Sequence, residues 1–211
     1  MIELINITKK YSNKTVFENL NFGFEENKIT AIMGESGCGK TTLLNILANL
    51  TDYSGKIESN YKNVAYVFSN NRLIPNLTVK QNLELINPNI NLTDYLKLAE
   101  LNTVADLYPK ELSSGMAHRV SLLRAFIHPA DLLLMDEPFR NLDITLKFKL
   151  IKLFKELWQK NKPTVLIVSH SIEDVLNLAD NVAIIKNSKF VFNEKTTIKN
   201  IDKKIIDILT N

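Results

Sequence analysis

Nine consecutive residues, "GESGCGKTT" (34–42), have the composition and spacing of a phosphate-binding loop: Gly34, four residues, Gly39, Lys40 and the hydroxyl of Thr41. Glycines at 34, 37 and 39 permit positive φ values and close backbone approach. The N–H groups of the loop, those of Glu35, Ser36 and Cys38 included, can then turn towards phosphate oxygens. Lys40 is expected to reach the β- and γ-phosphates, Thr41 to ligate Mg2+, and Thr42 to offer a hydroxyl to the α-phosphate. Such a loop needs an acidic metal anchor on a neighbouring strand, and "LLLMDEP" (132–138) supplies one. Asp136 ends the apolar run and is expected to hold Mg2+, usually through water. Glu137 follows, near the place of an attacking water. Phosphoryl transfer asks for positioning and charge neutralisation, and a carboxylate oriented on water completes the set. These residues imply Mg-dependent nucleotide hydrolysis without choosing among the many enzymes that use such a loop.

A second candidate lies at "ELSSGMAHR" (111–119). Ser113 and Ser114 are hydroxyl donors, Gly115 brings the backbone close, and an apolar helical pattern follows. A helix start of this kind is either a plain N-cap or a phosphate site. One small chain seldom needs two phosphate sites.

The elements that must position these groups read as an α/β protein with a largely parallel sheet. "ITAIM" (29–33) is a buried strand running into the glycine loop, and "KTTLLNILANL" is the helix after it. "NVAYVF" (63–68), "DLLLMD" (131–136) and "TVLIVSH" (164–170) are further strands, with polar residues at the C-terminal end where open α/β sheets bind ligands. "VAIIK" and "KFVF" around "NS" predict a hairpin. Leu146, Leu150, Leu153 and Leu157 mark an amphipathic helix on the sheet. Met116, Val120, Leu123 and Ile127 mark another, stopped by Pro129. Residues 69–130 hold turn residues and short helices but no convincing strand, so this stretch is expected to be a helical insertion.

The chain of 211 residues is 45% hydrophobic and 23% charged, and can bury a sizeable core. A net charge of +3 is too small to argue for nucleic acid or a membrane surface. The single cysteine, Cys38, forms no intrachain disulfide and fits a reducing cytosol. No secretory signal pattern is present, and no apolar run approaches the roughly 20 residues needed to cross a bilayer.

At "LSSGM" (112–116) a family becomes recognisable: the chain resembles the ATP-binding subunit of ABC transporters over nearly its whole length, in the family's motif order. Residues 34–42 match its Walker A loop, "LSSGM" its LSGGQ signature, "LLLMDEP" its Walker B motif, "NLD" (141–143) its D-loop, and His170 in "VSHSIEDV" its switch histidine. "RLIPNLTVKQNL" looks most like the importers of the nitrate, sulfonate, taurine and thiamine-precursor group. The resemblance implies a P-loop NTPase fold with an antiparallel N-terminal portion. It implies a nucleotide-binding core at 1–68 and 131–211 and a helical subdomain at 69–130. Tyr11 would stack on adenine, and Glu137, His170 and Lys40 would be catalytic. Two copies would form a head-to-tail sandwich in which Ser113 and the N–H of Gly115 bind the partner's ATP, with Asp143 at the seam. ATP and Mg2+ would be the ligands. Permease subunits, and through them a substrate-binding protein, would be the partners, on the inner face of the cell membrane. Two departures stand out. Ser69 lies where the family has a metal-reaching glutamine, with Asn70 a substitute if the loop shifts, and Ser114 replaces a signature glycine. A soluble ABC-type ATPase, for example in cluster assembly, and a slow ATP-sensing paralogue remain as alternative readings.

Overall fold

A computed structural model describes residues 1–12, 14–140 and 142–210. Three strands, β1 (Ile2–Tyr11), β2 (Lys14–Phe24) and β4 (Ser54–Glu58), form an antiparallel sheet in the order β2-β1-β4. A second sheet has the order β5-β6-β7-β3-β8-β9, built from β5 (Val64–Val67), β6 (Leu132–Asp136), β7 (Thr164–Val168), β3 (Ile29–Gly34), β8 (Asn181–Lys186) and β9 (Lys189–Lys195). All its neighbours pair in parallel except β8 and β9, which form the expected hairpin. Asn187 and Ser188 both adopt positive φ there, the geometry a two-residue hairpin turn requires.

Strands β3, β6 and β7 are buried at every residue. This is why they read as unbroken apolar runs, since both faces of a parallel sheet are covered. Alternation then divides the core. Leu132 and Leu134 of β6 point to the face covered by α1 (Lys40–Leu47) and the three-stranded sheet. Leu133 and Met135 point to the opposite face, covered by α4 (Ser114–Ile127), α5 (Ile144–Asn161) and the rest of the helices. Leu150, Leu153 and Leu157 form the buried stripe of α5, as their spacing predicted.

Between β5 and β6 come α2 (Val79–Glu84), α3 (Leu92–Leu98), a short 3-10 turn (Pro109–Glu111) and α4; none of residues 69–130 is in a strand. Their buried side chains, such as Leu83, Leu101 and Val120, belong to the same apolar cluster as Met135 and Ile167. The inserted helices therefore share a core with one face of the sheet. Strand β4, the helix α6 (Ile172–Leu178) and the C-terminal α7 (Ile201–Thr210) are not picked out by sequence pattern. Strand β4 is one exposed, short edge strand, and the Lys-rich end of the chain hides a helix that buries Ile201 and Ile205 and rests Ile208 and Leu209 against the same core.

Candidate nucleotide site

Strand β3 ends in the glycine loop, and α1 starts at its far side. Gly34, Gly37 and Gly39 all take positive φ (148°, 78° and 110°). Gly39 is the N-cap of α1 and has no side-chain cap, so the first N–H groups of the helix face the loop. A Cβ at Gly39 would lie 2.5 Å from Phe17 of β2, so glycine is required by both conformation and space. Lys40 is buried and its ammonium donates to the carbonyls of Gly34 and Glu35, each at 2.8 Å. The cation thus spans the loop it serves. The Cys38 Sγ lies 3.9 Å from the same nitrogen.

Strands β3 and β6 flank β7, and their ends bring Thr41 and Asp136 together: Thr41 Oγ1 donates to Asp136 Oδ2 at 2.9 Å. Burial holds the Asp136 carboxyl above its ordinary pKa of 3.8, with the Thr41 hydrogen bond opposing that rise and Glu137 adding to it. Burial also raises Tyr66, which donates to Asn45 and whose second influence is Asp136. A buried carboxylate beside a hydroxyl is a hard, oxygen-only donor pair of the kind Mg2+ selects, with room left for water and phosphate. The residues present fit that ion.

Glu137 sits just past β6 with φ +49°, a left-handed conformation held by its N–H donating to Val168 O at 3.0 Å. Such a backbone costs a non-glycine residue about 1 kcal/mol or more. It turns the side chain towards His170, at the end of β7, whose Nε2 lies 3.1 Å from Glu137 Oε1. Glu137 Oε2 meets Arg140 Nη1 at 3.0 Å. Sequence reasoning singled out Glu137 and His170 but missed Arg140; the only available signal was its i+3 spacing.

A cavity of about 330 Å³ gathers most of the candidates. Ser36, Gly37, Gly39, Lys40, Thr41 and Thr42 form its floor, Glu137 and His170 one wall, and Tyr11 another. Tyr11, at the end of β1, is 44% exposed, with the Lys9 ammonium 4.5 Å from its ring centre. Lys14, paired with Tyr11 across the hairpin, also lines the cavity and donates to Gly37 O at 3.4 Å. Nothing local in "SNKT" announces Lys14, which arrives by strand register. Ser69 lies exposed just past β5 and is not among the residues that wall this cavity. Nor does the loop place Asn70 there: its side-chain Oδ1 accepts from Arg72 Nε at 3.1 Å.

Ser113 and Gly115 are outside that cavity as well. Ser113 is exposed and caps α4 by accepting from Met116 N at 3.3 Å, which leaves its own O–H free to donate. Ser114 is exposed and has ordinary right-handed backbone, so the serine in place of glycine meets no conformational obstacle. Gly115 is buried because Leu146 of α5 packs where a side chain would be, 2.8 Å from an added Cβ. Asp143 caps α5 through Leu146 N at 2.9 Å, while Asn141 of the same motif lies outside the described residues.

Residues 17–140 match the family model described as ABC transporter. The chain is 35% identical over 186 residues to the aliphatic sulfonates import ATP-binding protein SsuB of Bacillus subtilis, covering 82% of this chain and 73% of that one. It is 32% identical over 208 residues to the Fe(3+) ions import ATP-binding protein FbpC of Fusobacterium nucleatum, covering 89% of this chain but only 56% of that longer protein. Among solved structures, the ATP-binding cassette MJ0796, a dimer in a post-hydrolysis state bound to ADP and phosphate, superposes with a TM-score of 0.80 at 27% identity, over 94% of this chain and all of that one. No helix among the described residues is long and apolar enough to cross a membrane. With the loop, the acidic strand end and the serine–glycine helix start in the family's order, this chain belongs to the ABC transporter family as an ATP-binding cassette.

Proposed function

We propose that this protein is the Mg-dependent ATP-hydrolysing subunit of an ABC importer for a small solute. It would work as a pair of cassettes docked on permease subunits at the inner face of the cell membrane, with a substrate-binding protein acting through that permease. The importer assignment draws on relatives named as sulfonate and iron import ATP-binding proteins. Residues 1–68 and 131–211 are the nucleotide-binding core, and 69–130 the helical subdomain.

Tyr11 supports the adenine, and the loop N–H groups from Glu35 to Gly39 surround the phosphates. Lys40 exchanges its carbonyl partners for phosphate oxygens, which loses little because the loop already carries that charge in place. Thr41 and Asp136 would hold Mg2+, which neutralises charge on the phosphates when bound. Ser69, exposed and not among the residues that wall this cavity, is left out of that pair. Glu137 accepts a proton from the attacking water while His170 holds its other oxygen, fixing the carboxylate's direction.

The observation that carries the paired arrangement is the tip of α4. Ser113 presents a free O–H on an exposed helix start, outside the cavity of its own chain. A partner's γ-phosphate is the ligand that completes it. Closure would therefore need ATP rather than ADP, because only the γ-phosphate bridges the two copies. The test uses light scattering and ATP hydrolysis on Glu137→Gln, alone and combined with Ser113→Ala. Hydrolysis should fall by about 10²–10⁴-fold in the first, with dimers forming in ATP and not in ADP. Adding Ser113→Ala should abolish the dimer while nucleotide still binds. Undiminished hydrolysis in Glu137→Gln would remove that residue from the mechanism; dimers indifferent to Ser113 would remove the serine–glycine tip from the interface.

A further inference from the structure

Resting on Glu137 as the residue that directs the attacking water, we propose that Arg140 is a positioning residue that parks the Glu137 carboxylate away from the phosphates until the segment bearing Arg140 is rearranged. The contact is built into a turn. The N–H of Arg140 donates to Glu137 O at 3.2 Å, and Pro138 at the second position fixes one of the turn's dihedrals. Phe139 is 3% exposed and packs edge-on against Phe154, with ring centres 6.4 Å apart, which anchors the turn in the core. Residues 137 and 140 therefore emerge together, and the guanidinium takes Oε2 while His170 takes Oε1.

Two cavities show the direction of the pull. Ser36, Glu137 and His170 line both the cavity holding Lys40 and a neighbouring one of about 450 Å³. Arg140 lines only the second cavity. Its charge-assisted bond draws one carboxylate oxygen towards that second cavity, away from the one holding Lys40, and competes with any water for it. Displacement of the guanidinium releases the carboxylate. Arg140 is 66% exposed, and exposed pairs are weak in water, so a modest rearrangement suffices. A second copy closing on this face would provide it.

Steady-state and single-turnover ATP hydrolysis by the full chain, with Arg140→Ala, Arg140→Lys and Glu137→Gln, tests this. Arg140→Ala should raise the single-turnover rate and kcat by about threefold or more while KM for ATP stays within about twofold. Arg140→Lys should stay near the parent. An unchanged or lower rate in Arg140→Ala, or a change confined to KM, overturns the proposal. Thermal midpoints give a second reading: Arg140→Ala and Glu137→Gln should combine non-additively, and strict additivity would show that the pair is not held. Persistent hydrolysis in Glu137→Gln would instead overturn the role of Glu137, a separately visible result.

Discussion

The two helix starts at Lys40 and at Ser114 differ in what surrounds them. The first is enclosed: β2 closes one side through Phe17, β6 brings Asp136 to Thr41, and β7 brings His170. The second is open: Ser113 and Ser114 are exposed, and Leu146 fills the space left by the Gly115 side chain. A complete phosphate site needs walls from several elements, and within one chain only the first has them. The difference teaches that two similar helix starts can differ in enclosure: one is walled by its own chain and the other stands open at the surface.

Disrupting the enclosed tip should separate stability from chemistry. Asp136→Asn should abolish Mg-dependent hydrolysis, by about 10²-fold or more, yet leave the apo protein at least as stable. The sign follows from burial. The folded pKa lies above the ordinary 3.8, so the stability from this group is complete below that value and is lost as pH rises through the folded pKa. At neutral pH the ionised carboxylate opposes folding, and the amide relieves that. A lower apo melting temperature in Asp136→Asn would contradict this. Gly39→Ala meets both a φ of 110° and the Phe17 ring, and should destabilise the protein by about 2–4 kcal/mol in urea titration while preventing nucleotide binding.

At the open tip the effects are smaller. Ser113→Ala removes a helix cap worth about 1 kcal/mol and should leave binding of a fluorescent ATP analogue to the monomer unchanged. If binding by the monomer weakened, the distinction between the two tips would break. Ser114→Gly sharpens it further. Because Ser114 has ordinary helical backbone, glycine there should lower stability by a few tenths of a kcal/mol rather than raise it. A rise in melting temperature would reveal strain at the serine.

The enclosed site was legible in the sequence because its parts are local. Residues 34–42 are contiguous, and the strand before them and helix after them follow from apolar pattern. Asp136 and Glu137 end a run of buried leucines, which marks the ligand end of a strand. The role expected of Tyr11 came from resemblance alone. Lys14 was missed because it reaches the cavity through hairpin register, and register depends on the partner strand. Arg140 was missed because i+3 spacing in a turn becomes a contact only when Pro138 and the buried Phe139 set the turn's orientation. Strand β4 escaped because it has no fully buried residue to impose a period, whereas α7 was overlooked although Ile201, Ile205, Ile208 and Leu209 keep helical spacing, because the lysines and carboxylates between them read as a solvated face.

The sequence by itself determined the chemistry: a glycine loop with its lysine, a hydroxyl, two carboxylates and a histidine can be arranged for nucleotide hydrolysis, and the motif order names the family. Only the tertiary structure decided which of these groups share one cavity, that Ser69 stands outside it, and that Glu137 is gripped from both sides by His170 and Arg140. The physical reason is distance along the chain. Residue types set what a group can donate or accept, whereas contacts between β1, β3, β6 and β7 depend on sheet order, which no local pattern contains.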